Sequence, residues 1–269
     1  MKEYYRNMKK FVFFVCLFII GFNLYSQNTQ SVYTLDLRRD IVLSTLAVAT
    51  FVTPFFINDD RELTTNLDRN DVNAFDRWLM FPYNRGLNNA RTSLAFVGMA
   101  STFIPPLILG WGERTGYFST WLTYGVMFTQ AFLFQYGTRN IIGRTVHRYR
   151  PHMYFELNQE FVPQASRRSF PSTTASTVFM SATFLHVTFS AEFPDSSWKI
   201  PVIVGSYTFA AGVSATRIFS GFHYLTDVLA GAAIGSLFGW LIPTLHLRAD
   251  NDIFSLIPSG NGLMVSIRF

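Results

Sequence analysis

The chain has a single cysteine, Cys16, which sits in an apolar run at residues 11–22. Lys2, Arg6, Lys9 and Lys10 precede that run, and Asn23, Leu24, Tyr25 and Ser26 follow it before Gln27. These are the three regions of a secretory signal peptide, with cleavage expected after Ser26, or of an N-terminal anchor if the segment stays. Loss of residues 1–26 leaves an exported chain without cysteine, which excludes a disulfide framework and any thiolate metal site.

Charge is scarce as well. Charged residues make up 14% of the chain against 49% hydrophobic ones, including 29 Phe, so a membrane protein is expected before a water-soluble fold with an ordinary charged surface, with buried soluble helices as the alternative. The formal net charge is +5, yet no run of consecutive basic residues exceeds two, so no nucleic-acid partner is expected. The arginines gather at residues 139–168, which points to local anion binding. The five histidines are scattered without an acidic or thiolate cluster; neither a metal nor another cofactor is expected.

Long apolar runs are what the chain does have. They recur at residues 41–57, 93–111, 121–142, 173–189, 200–219 and 228–245, each 17 to 22 long, near the ~20 that cross a bilayer as helix. The expected fold is all-α, a six-helix membrane-type bundle over residues 27–247. Pro105 and Pro106 should kink the second segment. Gly231, Gly235 and Gly239 give the last segment one smooth face for close helix contact. The polar connection at 58–91 contains the aromatic stretch 78–83, suited either to the headgroup level or to a plain loop. In the tail, residues 248–269, alternation of Leu263, Val265, Ile267 and Phe269 beyond Ser259-Gly260-Asn261 predicts a short β-hairpin.

Three polar clusters interrupt the apolar pattern. Arg217, His223 and Asp227 follow one another around Ser220-Gly221, where a turn would end one helix at Arg217 and start the next near His223. His223 and Asp227, four apart, then share a helix face, and the carboxylate orients the imidazole as a nucleophile or base. Arg139, Arg144, His147, Arg148 and Arg150 crowd the end of the third segment; guanidinium forks match phosphate oxygens, and the competing reading is a positive membrane flank. Ser172, Thr173 and Thr174 open the fourth segment, offering hydroxyls and helix-start N–H groups to an anion, or simply an N-cap. Alternating helices bring all three clusters to one side of the bundle.

Over residues 121–245 these residues resemble the type 2 phosphatidic acid phosphatases, which share a helical fold with vanadium haloperoxidases. The family's third motif, Ser-Arg, five residues, His, three residues, Asp, appears as Thr216-Arg217, His223 and Asp227. The resemblance implies that His223 is the nucleophile forming a phosphohistidine, that Asp227 orients it and that Arg217 binds phosphate. The first motif, Lys, six residues, Arg-Pro, keeps Arg150-Pro151 but has Gly143 at the lysine position, with Arg144 one residue along as a substitute phosphate ligand and Arg148 beside the site. The second motif, Pro-Ser-Gly-His, reads Pro171-Ser172-Thr173-Thr174, so Ser172 and Thr173 remain for phosphate while Thr174 stands at the general-acid position. His147 and His152 are candidate substitute acids. Vanadate would act only as a phosphate mimic.

The expected activity is therefore that of a multi-pass lipid phosphate or diphosphate phosphatase of a bacterial-type cell envelope, its partner a phosphorylated membrane lipid; the alternative is an impaired relative that binds such a lipid without hydrolysing it. The site is expected to face the periplasm. A cleaved leader followed by three crossings would deliver Arg150 to the cytoplasm; the expectation holds if the segment 41–57 lies in the interface or packs without crossing, or if the bundle is largely periplasmic.

Overall fold

A computed structural model describes residues 31–58, 67–110, 117–155 and 167–248, together with strands at 254–259 and 262–267. The leader at 1–26 lies outside the described residues. Helix starts follow the capping residues. Asp36 accepts the Arg39 N–H at 2.9 Å and opens α1, Leu37–Val52, which a 3-10 turn extends over Thr53–Phe56. Asn73 caps the short α2, Ala74–Arg77, and Asn84 caps α3, Arg85–Ser101. The kink expected at Pro105-Pro106 is a full break: α4, Ile104–Gly110, restarts after Thr102 and Phe103, with both prolines in its first turn where their missing N–H groups cost least.

The other four helices are long. They are α5, Tyr117–Val146, α6, Thr173–Glu192, α7, Lys199–Phe219, and α8, Leu225–Leu245. The six expected segments are all present, and the described residues hold eight α-helices because of α2 and the break before α4. The tail forms the predicted hairpin, β1, Phe254–Ser259, against β2, Gly262–Ile267, antiparallel with Ser259 opposite Gly262.

α6 stands at the centre, packed against α3, α5, α7 and α8. Its sequence carries no polar face: hydroxyl residues alternate with apolar ones all round; Ser181 and Thr188 donate to the carbonyls one turn back at 3.0 and 2.8 Å, while Ser176 and Thr183 donate to Gln135 of α5 and Ser236 of α8. α8 meets it along the glycine stripe. A Cβ on Gly231, Gly235 or Gly239 would come within 2.5, 2.0 or 2.4 Å of the α6 carbonyl side at Ser172, Ser176 and Met180, so only glycine permits this approach.

α1 packs along α5, and Gln130 of α5 donates to Ser44 of α1 at 3.0 Å. Its two ends reach both ends of the bundle. Near its start Arg39 donates to the Leu245 carbonyl at the close of α8 at 2.8 Å, while Ile57 beyond its far end accepts from Arg144 at the close of α5 at 3.2 Å. This first segment therefore runs the full length of the bundle beside α5. Residues 31–34 are clasped to 246–248 at the Leu245 end, through Thr34 N–H to His246 O at 3.0 Å and Arg248 N–H to Val32 O at 2.8 Å.

Among the described residues, Leu37–Phe56, Lys199–Phe219 and Leu225–Leu245 are helical stretches long and apolar enough to cross a membrane. Three such spans, not six, meet that measure, because α3 opens on Arg85, Asn88 and Asn89 and α6 dilutes its apolar residues with hydroxyls. The outward faces of the three spans expose Ile41, Val42 and Leu46, Ile200 and Val204, and Leu229, Leu237 and Trp240. Apolar surface of that extent on long helices belongs in lipid, and the protein is a membrane protein.

Candidate active site

At the end of the bundle opposite residue 31, the chain turns sharply between α7 and α8. Arg217 lies in the last turn of α7 and is fully buried. Gly221 then takes φ +72, and a Cβ there would fall 2.4 Å from the Phe81 carbonyl oxygen, so glycine is required for both conformation and space. The returning chain folds onto Arg217, whose carbonyl oxygen accepts the Phe222 and His223 N–H groups, each at 3.2 Å.

His223 stands ahead of α8, not on its face. Tyr224 is the cap, and the Asp227 side chain reaches back to accept the Tyr224 N–H at 2.9 Å. The expected shared helix face is thus replaced by a capping box: helix-start N–H groups compete for the carboxylate and win. The outcome still places His223 Nδ1 3.4 Å from Asp227 Oδ2, a long contact that turns Nε2 away from the carboxylate. Burial, opposed by Asp227 and reinforced by the charges of Arg150 and Arg217, pushes the His223 imidazole down to about 3.

Two arginines converge on the residue before it. The guanidinium carbons of Arg150 and Arg217 lie 4.6 and 4.7 Å from the centroid of the Phe222 ring, Arg150 donates to the Phe222 carbonyl at 3.2 Å, and Arg217 donates to Asn88 Oδ1 at 3.1 Å. Ser172 joins them through the backbone: its N–H donates to the Asp227 carbonyl at 2.9 Å, and its hydroxyl caps α6 by accepting the Ala175 N–H at 3.4 Å. Thr173 and Thr174 are the first two residues of that helix. Arg150, Ser172, Arg217, His223 and Asp227 are thereby brought together at one end of the bundle.

The rest of the arginine cluster divides. Arg144 donates to the Ile57 carbonyl and lies 6.0 Å from the Phe55 ring, against the end of α1. Arg139 donates to the Pro171 and Arg168 carbonyls at 2.8 and 3.0 Å, and a Cβ on Gly143 would lie 3.5 Å from its guanidinium carbon, so Arg139 borders the position where the resemblance expects lysine. Arg148 bonds Asp227 at 2.7 Å and Asp76 at 2.6 Å. Of the histidines considered as acids, His147 closes α5 with φ 52, and His152 puts Nδ1 3.0 Å from the Gly221 carbonyl with its ring 5.1 Å from Phe222.

Sequence reasoning missed Asp76 and Asn88, and it took Ser169 only as one of the hydroxyls in the stretch 168–174 that opens the fourth segment. Ser169 donates to Asp227 Oδ2 at 2.5 Å, and Asp76 accepts the Thr226 N–H at 3.0 Å and its hydroxyl at 2.6 Å. The only cue to Asp76 was a lone acid beside the aromatic stretch 78–83; Leu79 and Phe81 of that stretch pack on Ala175, Ile218 and Val228 beneath the site, while Trp78 stays exposed. No group of three His, Cys, Asp or Glu suited to a metal occurs among the described residues.

Residues 120–250, which contain every one of these motif positions, match the family model of the PAP2 superfamily. The chain is similar to that superfamily over just under half of its length. Over 73 residues, 27% of the chain, it is 37% identical to the lipid A 1-phosphatase of Porphyromonas gingivalis; the matched stretch spans 15% of that protein's length. Against the crystal structure of the first transmembrane PAP2 type phosphatidylglycerolphosphate phosphatase from Bacillus subtilis the TM-score is 0.39, with 19% identity over 77% of this chain and 94% of that one. Asp76 and Asn88 lie outside the matched residues, so the candidate site draws on an N-terminal region that the family match does not cover.

Proposed function

We propose that the protein is a membrane lipid phosphatase in which His223 Nε2 attacks a phosphorus atom. The N–P bond forms as the P–O bond to the lipid side breaks, the departing oxygen keeps the electron pair, and water then attacks the phosphohistidine to release inorganic phosphate and restore the imidazole. Asp227 balances the positive charge that develops on the ring. Arg150 and Arg217 hold the phosphoryl oxygens, and the start of α6 at Ser172 and Thr173 supplies further N–H and O–H donors. Arg144, expected among the phosphate ligands, instead holds the Ile57 carbonyl beside Phe55, and no phosphate contact is assigned to it.

The observation that carries this reading is the buried imidazole of His223, with Nδ1 3.4 Å from Asp227 Oδ2 and with Arg150 and Arg217 gathered on the neighbouring Phe222. A nucleophile must offer a lone pair, and this one keeps it at any physiological pH. The P. gingivalis relative is named for removing phosphate from a lipid, which supports a phosphorylated membrane lipid as substrate here. Phosphate release from lipid monophosphates and diphosphates by purified protein, lost in His223→Ala, is the expected result; equal release by that variant would refute the assignment.

Thr174 supports a second reading. A hydroxyl at the general-acid position forfeits a contribution of roughly 100- to 10,000-fold, which would leave a protein that binds a phosphorylated lipid without turning it over. Binding of lipid phosphate without release, in wild type and in Thr174→His alike, would favour it. Orientation is a separate part of the proposal. A periplasm-facing site requires residue 31 to stand on the cytoplasmic side, which a cleaved leader would not deliver, since α1 runs the length of the bundle. Reporter fusions after Leu247 and within residues 156–166 decide it: a cytoplasmic signal from the second position contradicts the outward site.

A further inference from the structure

The Asp227 carboxylate, which faces His223, is held by residues inside the matched stretch, and one of them, Arg148, is itself held by Asp76 from outside it. Asp227 Oδ2 accepts from Ser169 Oγ and the Tyr224 N–H, and faces His223 Nδ1; its Oδ1 accepts from Arg148 Nη1 at 2.7 Å. The other arm of Arg148, Nη2, donates to Asp76 Oδ2 at 2.6 Å, and its guanidinium lies 3.9 Å from the centroid of Tyr224. Nη1 donates in addition to Thr226 Oγ1 at 2.7 Å. An arginine with both arms on carboxylates and its plane against a ring is not offered to a substrate phosphate. Asp76 in turn is fully buried and fixed by Asn73 Nδ2 at 2.8 Å and by the Thr226 N–H and hydroxyl, which tie α2 to the first turn of α8.

We propose that Asp76 and Arg148 are positioning residues of the phosphoryl transfer: Asp76 fixes Arg148, and Arg148 fixes Asp227 so that Oδ2 faces His223. The assignment rests on the phosphatase reading above. Two carboxylates share one guanidinium, so Asp227 is held in place without being fully neutralised. Its remaining negative charge is available when the N–P bond forms and the ring becomes cationic. Without Asp76, Arg148 would pair with Asp227 alone and draw that charge away from His223. Ser169 secures the same carboxylate from the segment that precedes α6, so motif residues from three parts of the chain are set by one buried network.

The test uses the full chain purified in detergent, with release of phosphate from a lipid diphosphate as readout. Asp76→Asn is expected to lower kcat about 10- to 100-fold while leaving KM within about twofold, because the interaction acts on the transition state and not on substrate binding. Arg148→Lys, which keeps the charge but not the two-armed geometry, is expected to show the same kcat-only loss and serves if Asp76→Asn is not recovered folded. In an Asp227→Asn background the Asp76→Asn change should cost little more, since both act through one carboxylate. A rise in KM, or an equal loss of kcat in both backgrounds, means a merely structural role and overturns the assignment. An active wild type with an unaffected Asp76→Asn overturns it alone, whereas a wild type that releases phosphate from no lipid overturns the phosphatase reading and this assignment with it.

Discussion

The backbone N–H of Ser172 donates to the carbonyl oxygen of Asp227 at 2.9 Å, so the residue that opens α6 is tied directly to the carboxylate residue beside His223. Two motif positions 55 residues apart in sequence are held as one unit by the contact between α6 and α8. The glycine stripe of α8 makes that contact possible, and its first glycine faces the Ser172 carbonyl.

Gly231→Ala is therefore expected to damage both stability and the site. Its Cβ would lie 2.5 Å from the Ser172 oxygen, a backbone atom that cannot yield without shifting the start of α6. Overpacking of this kind costs about 1–3 kcal/mol. Gly205→Ala in α7, where a Cβ meets nothing within 4 Å, should be neutral or slightly stabilising. Thermal unfolding in detergent, read beside phosphate release, checks the pair.

Stability should fall as the pH drops from about 6.5 towards 3, by up to a few kcal/mol. Folded His223 takes a proton only near 3, whereas the unfolded chain takes one near the ordinary histidine value, so protons favour unfolding across that window. His246, buried at the other end of the bundle, is also pushed down by burial and adds the same sign. His223→Gln should reduce the slope of stability against pH and His246 should keep part of it. A slope unchanged by His223→Gln would contradict the buried neutral imidazole.

Arg217→Lys should lower kcat/KM about 10- to 100-fold although the charge is kept. The guanidinium uses one arm on Asn88 and its plane near Phe222, a geometry that an ammonium cannot reproduce. Asn88→Ala should give a smaller loss. Steady-state kinetics on the same lipid substrate separate the two.

Much of this was legible in the sequence because helix ends announce themselves. Ser172 before an apolar run, and Ser220-Gly221 between two of them, located the start of α6 and the turn after Arg217 from chemistry alone. The motif spacing located His223 and Asp227, although the capping box at Tyr224 shows that four-residue spacing at a helix start does not mean a shared face. The fate of the arginines was not legible. Arg139, Arg148 and Arg150 look alike in sequence, and only the fold reveals that the first holds backbone carbonyls, the second holds carboxylates and the third meets Phe222. Asp76 was hidden for the same reason: its partners are Arg148, 72 residues away, and Thr226, 150 residues away.

Thr174→His should raise turnover of a lipid monophosphate more than that of a lipid diphosphate. A lipid alkoxide leaves as a strong base and needs a proton in the transition state, whereas a phosphate leaving a diphosphate is a much weaker base, so the missing acid hurts monoesters most. The wild type is accordingly expected to prefer a diphosphate, such as a polyprenyl diphosphate. Equal gains on both substrates would remove this explanation.

The most direct measurement is to trap the covalent intermediate. Purified protein mixed with a lipid diphosphate radiolabelled at its terminal phosphate, and quenched within one turnover, should carry label that survives alkali and is lost in acid, as a phosphohistidine is. The label should map to the peptide containing His223 and be absent from His223→Ala. Phosphate release with no labelled enzyme, or labelling that persists in His223→Ala, would contradict nucleophilic attack by His223.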